Sequence, residues 1–130
     1  MEIDPRSHIP IFVQIADGIR AAVAAELYRP GEALPSLRAL AVDIQVNPNT
    51  VQRAYDELER EGLVYVLRGR GLFITEHGTT AAQAWTQQAV RRAFDEGIRA
   101  GRAAGMSEQQ LRDLFEKAID HVAKAGSKQP

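Results

Sequence analysis

At 130 residues, 45% hydrophobic and 25% charged, the chain has the make-up of one folded domain, or one small domain with an appendage, and not that of a disordered tail. It contains no cysteine, no apolar run near the roughly 20 residues of a membrane span, and no basic-then-apolar leader at its N-terminus. Disulfides, thiolate metal sites and cysteine nucleophiles are thereby excluded, and a cytoplasmic protein with no membrane partner is expected. The net charge of −1 is unevenly spread. Residues 1–77 carry eight arginines against eleven acids, and residues 78–130 carry eight Lys+Arg against six acids, so any nucleic-acid surface on the first part must be local.

In chain order, Phe12, Ile15, Ile19, Val23 and Leu27 recur three or four residues apart, which predicts one helix over 10–27 with Pro10 at its first position. "YRPGEALP" (28–35) carries Pro30-Gly31 and Pro35 and reads as a connection. Ser36 stands as an N-cap for a short helix whose apolar stripe is Leu37, Leu40, Ala41 and Ile44. A third helix, 48–61, has Val51, Ala54, Tyr55 and Leu58 on its core face and Gly62 as its left-handed stop. "LVYVLRGRGLFITE" (63–76) switches to β-branched and aromatic residues around Arg68-Gly69-Arg70-Gly71, predicting a hairpin.

After a break at "EHGTT", Thr80 with Gln83 has capping-box spacing, so a fourth helix is predicted from there to about residue 104, with Gly105 as its stop. Ser107 with Gln110 repeats the pattern before a last helix whose apolar face is Leu111, Leu114, Phe115, Ala118, Ile119 and Val122. "AGSKQP" (125–130) reads as a frayed tail. The fold class is therefore mainly α with a small β-hairpin. A winged helix-turn-helix over residues 1–77 is followed by a two-helix C-terminal dimerisation region over residues 78–130.

"VNPNTVQRAYDELEREG" (46–62) raises the question of chemistry, because it spends a helix start on residues that are poor in helix interiors. Asn47 caps, and Pro48 gives up an N–H that would be unpaired anyway. The free N–H groups of that first turn, with the positive end of the helix dipole, suit a phosphate. At 100° per residue, Asn49, Gln52 and Arg53 point away from the core face, where amides suit adenine and guanidinium suits guanine. No acid occurs from Ile44 to Tyr55 or from Gly62 to Thr75; Asp56, Glu57, Glu59 and Glu61 cluster in the distal half of the helix. Arg38, Arg53, Arg68 and Arg70 fall in the short helix, the third helix and the hairpin tip, where they could bracket one strip of duplex.

Each feature alone has an ordinary reading. Asn-Pro-Asn-Thr is then a helix start, Arg-Gly-Arg-Gly a solvated hairpin tip, and Arg53 a partner for Glu57 one turn on. Their joint occurrence at helix-turn-helix-wing spacing favours DNA.

"LPSLRALAVDIQVNPNTVQRAYDELEREGLVYVLRGRGLFIT" (34–75) closely resembles the DNA-binding domain of GntR-family bacterial transcription regulators, and "IPIFVQIADGIRAAV" resembles the family's first helix. The length and the "VNPNT" wording resemble the short YtrA-like subfamily. The resemblance implies contacts to double-stranded DNA from Ser36, Arg38, Asn47, Pro48, Asn49, Thr50, Gln52, Arg53, Arg68, Gly69 and Arg70. It also implies a homodimer on a palindromic operator, the absence of a large effector domain that marks the YtrA-like subfamily, and control of its own operon with an ABC transporter. Two departures stand out. Ala25 replaces the family's frequent glycine, which is expected to lengthen the first helix, and Leu72 replaces a polar or small wing residue, which argues against minor-groove reading by that strand.

For the last two helices, Trp85, Phe94, Ile98, Gly101, Leu111, Leu114, Phe115 and Ile119 are the expected dimerisation residues. Gly97, Gly101 and Gly105 lie four apart, and a close helix crossing would explain them, as would drift on an alanine-rich helix. Two short helices are not expected to enclose a metabolite pocket within one protomer, although a pocket at a dimer interface stays open, and no effector is named. His8, His77 and His121 are scattered, so no metal and no cofactor are expected. A winged helix used for protein interaction would show apolar anchors over 49–53, where Asn, Thr, Gln and Arg stand instead. An enzyme is disfavoured because no base falls near a nucleophile in the expected layout.

Overall fold

The computed structural model describes residues 1–127. Seven elements follow in order: α1 (Ile11–Ala24), α2 (Leu37–Asp43), α3 (Pro48–Arg60), β1 (Val64–Leu67), β2 (Gly71–Ile74), α4 (Gly78–Ala103) and α5 (Glu108–Ser127). They form two compact units, Met1–Gln88 and a second from Ala89 onward, so the first three turns of α4 belong to the first unit.

In the first unit α3 packs against α1, α2 and β1. Its core face is the one the periodicity predicts: Val51, Ala54, Tyr55 and Leu58 are all buried, against Ile15, Ile19 and Val23 of α1, Leu40 of α2 and Val64 and Ile74 of the hairpin. The Tyr55 hydroxyl donates to the Pro35 carbonyl oxygen at 2.7 Å, tying the third helix to the entry of the second. Burial pushes its phenol up to about 12. The hairpin pairs Val64 with Ile74 and Leu67 with Gly71, and Tyr65 stacks on Phe73 across it. Residues 31–34, expected as a plain connection, run beside β2 and form an isolated antiparallel bridge at Ala33 with Phe73. Gly31 N–H donates to Ile74 O, Ile74 N–H to Glu32 O and Leu34 N–H to Leu72 O, each at 2.9 Å. This pairing turns Leu72 toward the core, which accounts for an apolar residue in the wing.

Helix boundaries depart from expectation in four places. Pro10 is the N-cap of α1 and not its first residue, and α1 ends at Ala24, leaving Leu27 73% exposed. Ala25 does not lengthen the helix, because the next residue, Glu26, takes a left-handed conformation (φ 62°) and closes a Schellman cap with Leu27 N–H on Ala22 O at 2.8 Å. Gln45 (φ 55°) does the same after α2, with Val46 N–H on Ala41 O at 3.0 Å, and so makes the turn between α2 and α3. Neither residue type announces a left-handed position.

The third departure is the start of α4, which is Gly78 and not Thr80. A Cβ at Gly78 would lie 2.7 Å from Ile74 Cγ2 and 3.1 Å from the Leu63 carbonyl oxygen, so only glycine lets the helix begin against the hairpin. Gln83 makes no capping box; its amide donates to Ala24 O at the end of α1, at 3.2 Å. Ser107 and Gln110 do form the reciprocal box, at 3.1 and 2.8 Å. α5 continues through Ser127, taking in the first three residues of the expected tail, while the last three lie outside the described residues.

An ionic cluster centred on a buried arginine, not foreseen from sequence, holds the ends of these elements together. Arg20, 6% exposed, donates to both carboxylate oxygens of Glu61 just past α3 and to Asp17 at 2.8 Å, with its guanidinium 4.5 Å from the Trp85 ring centre. Burial raises Asp17 above the ordinary carboxylate value against the opposing pull of Arg20.

Candidate nucleic-acid interface

α3 opens as its sequence dictates. Asn47 Oδ1 accepts from Asn49 N–H at 2.8 Å, and Pro48 fills the first helical position. The expectation of free N–H groups in that turn is corrected. Pro48 has none, Asn49's is held by the cap, and Thr50's donates to Asn47 O at 2.9 Å. Any attraction for phosphate at this end therefore rests on the helix dipole, not on open donors.

Beyond the cap, Asn49, Gln52 and Arg53 are exposed on the face opposite Val51, Ala54, Tyr55 and Leu58, and Thr50 is half-buried beside them. Two of these side chains are already held. Gln52 Nε2 donates to Asp56 Oδ1 at 2.7 Å. The Arg53 guanidinium lies 3.9 Å from the centre of the Phe12 ring, so its partner is an aromatic face of α1 and not Glu57, which pairs with Arg60. With Glu61 on Arg20 and Glu57 on Arg60, two of the four acids between residues 56 and 61 are paired with cations.

The remaining candidates occupy neighbouring elements. Ser36 is the working N-cap of α2, accepting from Ala39 N–H at 3.1 Å, and Arg38 is exposed in the first turn of that helix. Arg68, Gly69 and Arg70 form the exposed hairpin turn, closed by Arg70 N–H on Leu67 O at 2.9 Å, with Gly69 at φ 79°. Among the described residues no ion pair engages Arg38, Arg68 or Arg70.

The sequence pattern of "Bacterial regulatory proteins, gntR family" matches residues 12–74, the span from Phe12 to the last residue of the wing. The chain is 38% identical, over 98% of its own length and 98% of the other's, to the HTH-type transcriptional repressor YtrA of Bacillus subtilis. The protein belongs to the GntR family. Among solved structures, a GntR family transcriptional regulator from Listeria monocytogenes matches this GntR-family chain with a TM-score of 0.77 at 29% identity, covering 88% of this chain and 98% of that one. YtrA from Sulfolobus acidocaldarius matches with a TM-score of 0.57 at 28% identity, covering 95% and 99%. The GntR-family protein is thus a DNA-binding transcription regulator of the short YtrA-like type and not an enzyme.

The second unit carries the other candidate surface. Phe94 and Phe115 meet edge to face at 5.4 Å, yet they are 47% and 45% exposed, and Ile98, Leu114 and Ile119 are 40%, 55% and 51% exposed. They line or flank an open groove of about 520 Å³ between α4 and α5. Of the three spaced glycines, Gly101 makes the close crossing, since a Cβ there would fall 2.5 Å from Leu111 Cδ2; Gly105 is the left-handed cap; Gly97 meets nothing. Leu111 is half-buried. Trp85 stands apart from this set, under Arg20 in the first unit. Among the described residues no helix is long and apolar enough to cross a membrane.

Proposed function

We propose that the protein is a homodimeric repressor that binds a palindromic operator, with the first two turns of α3 in the major groove. The observation that carries this reading is the exposed polar face of Asn49, Gln52 and Arg53 at the start of a capped helix, flanked in sequence by the exposed arginines of α2 and the wing. In this reading Asn47, Pro48 and Thr50 build the tip of the helix, Asn49, Gln52 and Arg53 meet base edges, and Ser36, Arg38, Arg68, Gly69 and Arg70 meet the backbone or the adjacent minor groove. The exposed apolar face of Phe94, Ile98, Leu114, Phe115 and Ile119 supports self-association through the second unit, with Gly101 and Leu111 packing beneath it. Membership of the YtrA-like group favours cytoplasmic control of the protein's own operon, with an ABC transporter as its cargo.

Selection from random double-stranded DNA by the purified full chain tests the proposal. The expected result is an inverted repeat whose half-site centres lie about 10–10.5 bp, or a multiple of that, apart. Enrichment of a single asymmetric site would overturn the dimer, and no enrichment would overturn sequence-specific binding.

A further inference from the structure

We infer that Asp56 is a positioning residue that makes Gln52 an adenine reader. The inference rests on the proposed insertion of α3 into the major groove. Asp56 lies one helical turn beyond Gln52, is exposed, and among the described residues pairs with no cation. An acid on a face that meets a polyanion weakens binding, so its position asks for a role. Among the described residues its carboxylate accepts one side-chain hydrogen bond, from Gln52 Nε2 at 2.7 Å.

An ionised carboxylate only accepts hydrogen bonds. The end of the Gln52 amide that faces Asp56 must therefore be the NH₂ group, and the carbonyl end must face away. One N–H is consumed, leaving Oε1 as an acceptor and the second N–H as a donor. That pair matches the major-groove edge of adenine, which offers the N6 donor and the N7 acceptor. Guanine offers two acceptors, O6 and N7, and so asks for two donors where Gln52 has one left. Without Asp56 the amide can turn over and give both N–H groups to guanine.

The test is the affinity of the full chain for its selected operator and for operators changed from adenine to guanine at each half-site position. The wild type is expected to prefer adenine by about tenfold or more at one position per half-site. In Asp56→Ala the preference at that position should fall below about threefold, other positions being unchanged, while overall affinity holds or rises as the negative charge is lost. Asp56→Glu, whose longer carboxylate still reaches the amide, should restore the preference. Gln52→Ala marks the position independently. Unchanged discrimination in Asp56→Ala would overturn the inference while leaving the operator reading intact. Failure of the wild type to select any sequence would instead overturn the proposed function. Because Asp56 is exposed, its replacement leaves the core untouched.

Discussion

Replacing Tyr55 by phenylalanine removes a single oxygen from the centre of the reading domain and tests how α3 is held. In the wild type that hydroxyl is buried with a residue exposure of 1% and donates to Pro35 O at 2.7 Å. Losing one buried bond and orphaning its acceptor costs about 1–2 kcal/mol. The pH dependence gives a sharper signature. The phenol is raised from 10.0 to about 12, so the stability it contributes is whole below pH 10 and is lost as pH rises from 10 toward 12. At pH 11 the unfolded phenol is mostly ionised and the folded one mostly neutral, a loss of about 1.4 kcal/mol in the wild type. Tyr55→Phe has no such group, so the stability gap between the two proteins should be widest near neutrality and close at about pH 11. Urea unfolding followed by the emission of Trp85, the sole tryptophan, reads this in the unit concerned. Groups remote from Tyr55 titrate equally in both proteins and cancel in the difference. A gap that stays constant from pH 7 to 11.5 would refute the claim that the Tyr55 hydroxyl is buried and bonded.

Three further outcomes are expected. Phe94→Glu places a charge in the exposed apolar groove and should convert a dimer to a monomer by light scattering, with Trp85 emission unchanged; a persistent dimer mass would move the interface elsewhere. Removing Arg68 and Arg70 together should reduce the slope of log affinity against log salt by about 1–2, and an unchanged slope would mean that the wing does not touch phosphates. Gln45→Gly relieves a left-handed side chain in the helix-turn-helix turn and should raise the thermal midpoint, by up to about 1 kcal/mol of stability; a lower midpoint would show that the Gln45 side chain contributes more than its conformation costs.

What could be read from sequence was local. Ser36, Asn47 and Gly62 act at their own helix ends, and the Val51, Ala54, Tyr55, Leu58 stripe follows from helical period alone, so each was visible within a few residues. Two identical-looking capping boxes show the limit. Ser107 with Gln110 forms one; Thr80 with Gln83 does not, because Gly78 fits against Ile74 and Leu63 and lets the helix begin two residues earlier. That fit depends on residues of another element, which spacing does not encode. The same holds for Arg20 with Glu61, 41 residues apart, and Gln83 with Ala24, 59 apart. Arginine is rarely buried, so nothing in its own neighbourhood marked Arg20 as central.

The reading surface carries the same division one level further. Helical angle alone put Asn49, Gln52 and Arg53 on one outward face, but it treated them as equivalent free side chains. In the fold they differ: among the described residues Asn49's side chain has no bonded partner, Gln52 is fixed by Asp56, and Arg53 lies on Phe12 of α1. A side chain held before binding loses less rotamer entropy when it meets a base, and it has fewer geometries with which to accept a wrong one. Specificity would then come from Gln52 and Arg53, whose partners limit their choices, while Asn49 adapts. On that argument, loosening either partner should broaden the set of operators bound more than it weakens the best one.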